Sequence, residues 1–212
     1  MNTNESRTLV VDFDRTIFDS DRLYQDLYCI CENHGIGRDL LDPALALVPP
    51  ENVLFNFFLM VQRSKRIEAA KINHLVAELR AFIRTKGYQY VFEDVRPFLG
   101  SAIQAGWKVV VLTYGDHDFQ VAKLAGSGIG DLCQLFTVTS TPKWDRLEIF
   151  NTLSVIFLDD NPRDIDGVKV RFPHVVAVEV KRQNTKYQTA LSLKANLSVN
   201  QLHWPLRFGE LG

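Results

Sequence analysis

Residues 8–16 read TLVVDFDRT, an apolar run that ends in two aspartates and a threonine. A continuous apolar run of this length is typical of a strand that is buried on both faces of a parallel sheet. Other runs share the pattern, and they are residues 108–113, 155–158, 175–180 and, more weakly, 135–138. The sequence therefore predicts a buried parallel sheet that begins with residues 8–13.

Helical patterns separate these strands. Residues 95–105 lead into the second strand and are closed by Gly106, residues 118–126 follow that strand, and residues 143–151 precede the strand at 155. Strands that alternate with helices at this spacing predict an α/β fold with a doubly wound, Rossmann-like parallel sheet.

Residues 18–94 interrupt this alternation. They contain no convincing strand but three helical patterns, at residues 23–33, 51–64 and 68–85. The simplest interpretation of Phe55, Phe57 and Phe58 is a helical core. We therefore predict an all-helical domain, residues 18–94, inserted into an α/β core that comprises residues 1–17 and 95–212, the last part of which is a tail at 183–212.

The composition excludes several function classes. The chain has 212 residues, 24 of them basic and 25 acidic, so its formal net charge is −1. Without a net positive field, we expect neither nucleic acid nor a membrane as a partner. The three cysteines include no CxxC pair, and the first apolar run is too short for a secretory signal. These features predict a cytoplasmic protein with reduced thiols.

Acidic residues follow two of the predicted strands. Asp12 and Asp14 follow the first, and Asp159, Asp160 and Asp164 follow the strand at 155. Doubly wound sheets bind their ligands at the carboxyl ends of the strands. A single aspartate there is commonly a turn or cap residue, but clustered carboxylates repel one another unless a cation relieves them. Oxygen ligands of this kind suit Mg²⁺, which we predict as the cofactor.

In this arrangement the chain resembles the haloacid dehalogenase superfamily of phosphohydrolases. The first motif of that family, DxDx(T/V) after an apolar strand, matches residues 12–16, and the second, a Thr or Ser at a strand end, matches Thr113. The third motif, a lysine near a helix start, matches Lys143. The fourth, an acidic pair with a further aspartate, matches Asp159, Asp160 and Asp164. The motifs occur in the family's order over roughly residues 8–181.

The resemblance implies catalytic roles for four residues. Asp12 would be the nucleophile that forms an aspartyl-phosphate, which divides one difficult displacement into two easier steps. Asp14 would protonate the leaving oxygen and then deprotonate water, and a raised pKa would suit this work. Thr113 would donate a hydrogen bond to the phosphoryl group, as would the backbone N–H of Tyr114. Lys143 would neutralise charge on the phosphate and on Asp12.

The resemblance also implies a set of metal ligands. Mg²⁺ would bind the carboxylate of Asp12, the backbone carbonyl of Asp14 and the carboxylate of Asp160, although Asp159 could be the direct ligand instead. Asp159 and Asp164 would orient metal-bound water or Lys143. Arg15 stands where many relatives have glycine, and it either lines the entrance to the site, as a substrate-binding residue, or is solvated.

The helical insertion resembles the C1 cap of this superfamily, which would favour a small phosphorylated metabolite as the substrate. The sequence thus predicts an Mg²⁺-dependent phosphatase that hydrolyses a small phosphomonoester. A phosphotransferase or phosphomutase of the same fold is the near alternative, and a non-catalytic scaffold is the remote one. The apolar residues of the tail either pack on the core or, like the cap, form the contact of a homodimer.

Overall fold

The computed structural model describes residues 7–41, 54–64, 68–151 and 154–206. Within these residues it contains a six-stranded sheet in which every pairing is parallel, with the strand order β3-β2-β1-β4-β5-β6. The strands are β1 (Arg7–Val11), β2 (Lys108–Tyr114), β3 (Leu135–Thr139), β4 (Ser154–Asp159), β5 (Val176–Val180) and β6 (Leu197–Val199). The predicted α/β fold with a parallel sheet is confirmed.

The strands form where the sequence is apolar because both faces of the sheet are covered. Val10 of β1 pairs in register with Val110 of β2 on one side and with Phe157 of β4 on the other. All three side chains belong to one buried apolar cluster, to which Ile165 and Val168 also contribute. Each side chain of this kind contributes about 1.5–3 kcal/mol when it is fully buried.

The strand order places a reversal of winding between β1 and β4. The chain passes from β1 to β2 and β3 on one side, and then returns to β4 on the other side of β1. Such a switch point leaves a crevice at the carboxyl ends of the two central strands, where ligands bind in open α/β sheets. Asp12 follows β1 directly and Asp160 follows β4, so the sequence places both residues at this crevice.

Helices of the same compact unit pack on the sheet. Val95–Gln104 packs against β2, and Pro162–Arg171 packs against β4 and β5. The first of these helices is closed as predicted, by Gly106 with a left-handed φ of 82°. The single helix predicted over residues 143–151 is wrong, however. A 3₁₀ turn (Lys143–Asp145) and a short helix (Leu147–Phe150) replace it, because Arg146 between them has a non-helical ψ of 68°.

The tail after β5 adds a strand that the sequence analysis did not predict. The short strand β6 pairs with β5, and beyond it Leu202 is buried. Trp204 packs edge-on against Phe98 and Trp107. Leu202 and Trp204 of the tail therefore pack on the core of the sheet, whereas Leu191 and Leu193 are exposed.

Contacts between residues divide the chain into two compact units. The first comprises Met1–Asp19, Val91–Tyr114 and Ile129–Gly212, and the second comprises Ser20–Tyr90 and Gly115–Gly128. The second unit contains the helices Ser20–Asn33, Phe57–Gln62, Ala69–Lys86 and His117–Ser127. None of the helices in the described part of the chain is long and apolar enough to cross a membrane. The interpretation of the second unit as a C1 cap stays a prediction.

Aromatic side chains form the core of the second unit. Phe57 and Phe58 are buried, as predicted, on the helix Phe57–Gln62, which begins later than the sequence pattern at 51–64 suggests. The first residues of that pattern lie outside the described residues. Phe55 precedes the helix and packs edge-on against Tyr24 and Phe119.

Two glycines explain why His117–Ser127, which follows β2 in the chain, groups with the second unit. A Cβ on Gly126 would lie 2.1 Å from the carbonyl oxygen of Ile83, and a Cβ on Gly87 would lie 2.7 Å from the backbone of Gly126. Only residues without side chains permit the helices Ala69–Lys86 and His117–Ser127 to approach this closely. The division predicted from the sequence, at residues 18 and 94, leaves this helix in the core.

Candidate active site

Three buried aspartates meet at the crevice between β1 and β4. The backbone N–H of Asp12 donates to the carbonyl of Leu158 at 2.9 Å, which continues the pairing of the two strands to their ends. One carboxylate oxygen from each of Asp12, Asp159 and Asp160 lies within 4.8 Å of the others. Of the described residues, these three aspartates form the one group of His, Cys, Asp and Glu side chains that is close enough to hold a metal ion.

The ammonium group of Lys143 joins two of these carboxylates. Its Nζ donates to Oδ1 of Asp12 at 2.6 Å and to Oδ2 of Asp159 at 2.6 Å. The side chains are nearly inaccessible to water, since 4% of Lys143, 5% of Asp12 and 0% of Asp159 are exposed. Ion pairs in such surroundings are screened little by solvent or salt. Lys143 therefore holds Asp12 in a fixed orientation.

A second donor holds the other oxygen of Asp12. The hydroxyl of Thr16 donates to Oδ2 of Asp12 at 3.0 Å, within the turn that follows β1. Thr16 belongs to the first motif, but the sequence alone indicates no role for it. The feature that could have identified Thr16 is its position, four residues after Asp12 in a tight turn.

Asp159 and Asp160 are adjacent in the chain but differ in their hydrogen bonds. Both oxygens of Asp159 are engaged, because Oδ2 accepts from Lys143 and Oδ1 accepts from the backbone N–H of Asn161 at 2.8 Å. Asp160 is 4% exposed, and its Oδ2 has no hydrogen-bond partner among the described residues. A buried carboxylate oxygen without a donor is costly unless a ligand satisfies it. The free oxygen of Asp160 is therefore the better candidate for a direct metal ligand.

Burial and mutual repulsion shift the pKa values of the cluster. Burial raises the pKa of Asp12 and raises that of Asp159 well above its ordinary value, in each case against the opposing effect of Lys143. Burial, followed by repulsion from Asp12, raises the pKa of Asp160 to about 8. Burial lowers the pKa of Lys143, but the attraction of Asp12 and Asp159 outweighs it and the pKa stands well above its ordinary value. One ammonium group does not compensate three buried carboxylates.

The donor set suits a divalent cation of the magnesium type. Carboxylate oxygens are hard ligands, and the unsatisfied Oδ2 of Asp160 and the converging oxygen of Asp12 would both be stabilised by a positive charge. The residues that are present therefore fit the metal that the sequence predicts.

The remaining predicted residues of the first motif lie in the same turn. Asp14 and Arg15 are half-buried, and Arg15 has a left-handed φ of 62°. The Asp14 carboxylate raises the pKa of Asp12, and Arg15 opposes the rise in the pKa of Asp160. Both side chains are thus close enough to act electrostatically on the aspartate cluster.

The second motif contributes a buried hydroxyl. Thr113 near the end of β2 is 0% exposed, and its Oγ1 has no hydrogen-bond partner among the described residues. The next residue, Tyr114, is 48% exposed. An unsatisfied buried hydroxyl at a strand end is available to a ligand. Thr113 is the second orphaned polar group at this edge of the sheet, after Asp160.

Asp164 lies beside Asn161 and outside the group of three aspartates. The amide Nδ2 of Asn161 donates to Oδ2 of Asp164 at 2.7 Å, while the Asn161 side-chain oxygen caps the helix Pro162–Arg171. The Asp164 charge still contributes to the raised pKa of Lys143. Asn161 therefore links Asp159 to Asp164. No role was predicted for Asn161, although an Asn-Pro pair is typical of a helix start.

A close contact between Trp144 and Gly167 holds the turn that carries Lys143. Its neighbour Trp144 packs on Gly167 so tightly that a Cβ there would lie 2.1 Å from the indole ring. Gly167 lies in the helix Pro162–Arg171, whose first turn carries Asp164. The fourth motif and the lysine turn are thus packed directly against each other.

Comparison with known proteins gives matches in structure but not in sequence. No protein family profile and no curated protein matches the chain. Among solved structures, a protein described as a haloacid dehalogenase-like hydrolase from Burkholderia xenovorans superposes with a TM-score of 0.74 at 17% identity, over 93% of this chain and 94% of that one.

Other solved structures match over a similar share of the chain. A HAD phosphatase from Thermococcus onnurineus has a TM-score of 0.64 at 17% identity, over 92% and 94% of the two chains. A HAD-type hydrolase from Bacillus subtilis with bound magnesium has a TM-score of 0.61 at 15% identity, over 94% and 96%. Two structures of a protein described as a dehalogenase match with TM-scores of 0.57 and 0.59, and an L-2-haloacid dehalogenase matches with a TM-score of 0.56. These likenesses show that the chain has the haloacid dehalogenase fold.

Proposed function

We propose that this chain, built on the haloacid dehalogenase fold, is an Mg²⁺-dependent phosphatase that hydrolyses a small phosphomonoester through an aspartyl-phosphate on Asp12. One observation carries the proposal. Asp12 is fixed by Lys143 and Thr16. Among the described residues, a carboxylate oxygen of Asp160 and the hydroxyl of Thr113 are buried side-chain atoms without a hydrogen-bond partner at this edge of the sheet. A phosphate with its cation offers a partner to each.

The first half of the reaction transfers the phosphoryl group to the protein. A carboxylate oxygen of Asp12 attacks phosphorus and forms an O–P bond as the bond from phosphorus to the leaving oxygen breaks. Lys143 keeps the Asp12 carboxylate oriented, and its charge attracts the phosphate. The Thr113 hydroxyl donates to a phosphoryl oxygen, and Asp14 gives its proton to the leaving oxygen.

The second half returns Asp12 to its starting state. Asp14, now ionised, takes a proton from a water molecule, whose oxygen attacks phosphorus while the bond to Asp12 breaks. Inorganic phosphate leaves, and Asp14 holds the proton that it needs for the next cycle. Asp14 therefore acts as an acid in the first half and as a base in the second.

Asp12, Asp160 and the backbone carbonyl of Asp14 would hold the metal. When bound, Mg²⁺ supplies positive charge that offsets the repulsion between the phosphate and the carboxylates. Asp159 then serves Lys143 rather than the cation, since its oxygens accept from Lys143 and Asn161 while the adjacent Asp160 offers an oxygen without a partner.

Asp14 favours phosphate over haloacid chemistry. A halide leaves without a proton, so a dehalogenase needs no acid two residues after its nucleophile. Here the Asp14 carboxylate is near enough to raise the pKa of Asp12. We propose a small phosphorylated metabolite as the substrate because the predicted cap would favour small molecules.

The test is hydrolysis of an aryl phosphate, with Mg²⁺ and with a chelator, by the wild type and by Asp12→Asn. Asp145→Asn is the matched control, because Asp145 makes an exposed ion pair with Arg171. We expect metal-dependent turnover in the wild type and the control, and none above background in Asp12→Asn. Equal rates in all three proteins, or halide release from a 2-haloacid without any phosphatase activity, would overturn the proposal.

A further inference from the structure

The turn after β1 carries Asp14 and Thr16, and its backbone is unusual. Residues 13–18 form this first-motif turn. Arg15 has a left-handed φ of 62°, which residues with side chains adopt rarely. The turn is closed by internal bonds from Arg15 N to the Phe18 carbonyl at 2.7 Å and from Phe18 N to the Phe13 carbonyl at 3.0 Å. Such a conformation persists only where its surroundings hold it.

Arg182, which is distant in sequence, stabilises this turn through a hydrogen bond. Its Nε donates to the carbonyl oxygen of Thr16 at 3.0 Å, across 166 residues of sequence. Arg182 is 4% exposed, and its guanidinium group also packs over the ring of Phe92 at 4.3 Å. Thr16 is the residue whose hydroxyl donates to Oδ2 of Asp12. Arg182 therefore reaches the nucleophile through one intervening residue.

Asp94 fixes the guanidinium in turn. Its two carboxylate oxygens accept from Nη1 and Nη2 of Arg182 at 2.7 and 2.9 Å, in a bidentate pair. Oδ2 of Asp94 also accepts from the backbone N–H of Leu202 at 2.7 Å. The planar guanidinium binds the carboxylate through two nitrogens and the carbonyl through a third, a bidentate geometry that the single nitrogen of a lysine does not reproduce. The same pair thus ties the tail to the first-motif turn.

We propose that Arg182, oriented by Asp94, is a positioning residue that fixes the first-motif turn and through it the reacting geometry of Asp12 and Asp14. The proposal rests on the proposed phosphatase function for its kinetic consequences. Its structural content stands on the contacts to Thr16 and Asp94 alone. Neither residue is among the proposed catalytic groups or metal ligands.

The test compares Arg182→Lys, Arg182→Met and Asp94→Asn with Lys181→Met. Lys181 is the matched control: it is the adjacent residue, 8% exposed, and paired with Glu179 at 2.7 Å, and its other contacts lie at Tyr187 and Ala190 rather than in the first-motif turn. Arg182→Lys keeps the charge, so it serves where Arg182→Met fails to fold.

We expect Arg182→Lys to lower kcat on an aryl phosphate by roughly 10- to 100-fold, with KM changed far less, because misplaced groups cost rate rather than binding. Lys181→Met should keep the wild-type kcat and KM.

Amide hydrogen exchange gives a readout that does not need turnover. Residues 13–18 should exchange faster in the Arg182 and Asp94 variants and at the wild-type rate in Lys181→Met. Unchanged exchange in folded Arg182→Lys, or the same acceleration in Lys181→Met, contradicts the inference. If the variants exchange as expected but the wild type hydrolyses no phosphate, the proposed function is contradicted and the positioning role is supported.

Discussion

The ammonium group of Lys143 lies 2.6 Å from Oδ1 of Asp12, a residue 131 positions earlier in the chain. The two side chains are almost fully buried, at 4% and 5% exposed. A buried ion pair is expensive to break from one side, because the partner that remains is left charged and unsatisfied. This contact therefore serves both the stability of the fold and the orientation of the proposed nucleophile.

Lys143→Met should destabilise the metal-free protein by about 3–5 kcal/mol and abolish turnover, since it leaves both Asp12 and Asp159 without their common partner. Urea unfolding in the presence of a chelator measures the first effect. Arg171→Met is the control, because its pair with Asp145 is exposed and should be worth about 0.2–1 kcal/mol at most. A loss of the same size in both variants would contradict the buried pairing.

Gly167→Ala should cost about 1–3 kcal/mol in the free energy of unfolding, although alanine is the better helix former. The added methyl group would meet the Trp144 ring and push the lysine turn away from the cluster. We therefore expect a lower kcat as well.

Gly100→Ala is the matched control for this substitution. It lies inside the helix Val95–Gln104, where a Cβ would meet nothing within 4 Å, so it should stabilise the protein by about 0.5–1 kcal/mol. If the two alanine variants change stability alike, Trp144 does not fill the space beside Gly167.

The stability of the metal-free protein should fall as the pH rises between about 4 and 8. Burial raises the pKa of Asp160 from 3.8 to about 8, so in this range the folded state holds a proton that the unfolded chain has lost. Stability contributed in this way is present at low pH and is lost as the carboxyl group ionises. Mg²⁺ should reverse the trend, because a cation stabilises the ionised form.

Unfolding by urea at several pH values, with Mg²⁺ or with a chelator, measures this dependence. Asp160→Asn should lose its own share of the pH dependence, while the share of Asp12 and Asp159 remains, and should lose most of the stabilisation by Mg²⁺. Asp145→Asn should keep both. Full stabilisation by Mg²⁺ in Asp160→Asn would assign the metal to other ligands, Asp159 among them.

Asp14→Asn should lower kcat for an alkyl phosphate by roughly 100- to 10,000-fold and should lower the rate of phosphoryl transfer from an aryl phosphate much less. An alkoxide leaves poorly without a proton, while a nitrophenolate does not need one. Single-turnover rates of Asp14→Asn with an alkyl and with an aryl phosphate measure this difference. Equal losses for both leaving groups would argue against a general acid at this position.

Much of the fold could be predicted because apolar runs mark strands that are buried on both faces. Strands β1, β2, β4 and β5 carry this signal, and Asp12, Thr113 and Asp160 follow from it as residues at or just beyond strand ends. The short strand β6 (Leu197–Val199) carries no such run, since only pairing with β5 makes it a strand.

Other features depend on contacts between residues that are far apart in sequence. No local pattern joins Arg182 to Thr16, or indicates that Gly126 meets the backbone at Ile83 and draws the helix His117–Ser127 into the helical unit. The broken helix at Arg146 is of the same kind, because periodicity does not report a change of ψ at one residue. The residues of the proposed chemistry could be predicted from the sequence, but the residues that support them could not.

The most direct test of the central claim is to trap the phosphorylated protein. Asp14→Asn, which should transfer the phosphoryl group from an aryl phosphate but lack the base that hydrolyses the intermediate, is mixed with the substrate and Mg²⁺ and quenched in acid. We expect the mass of one phosphoryl group on the peptide that contains Asp12, and none in the double variant Asp12→Asn/Asp14→Asn. A phosphoryl group on another residue, or the same adduct in the double variant, would contradict the account.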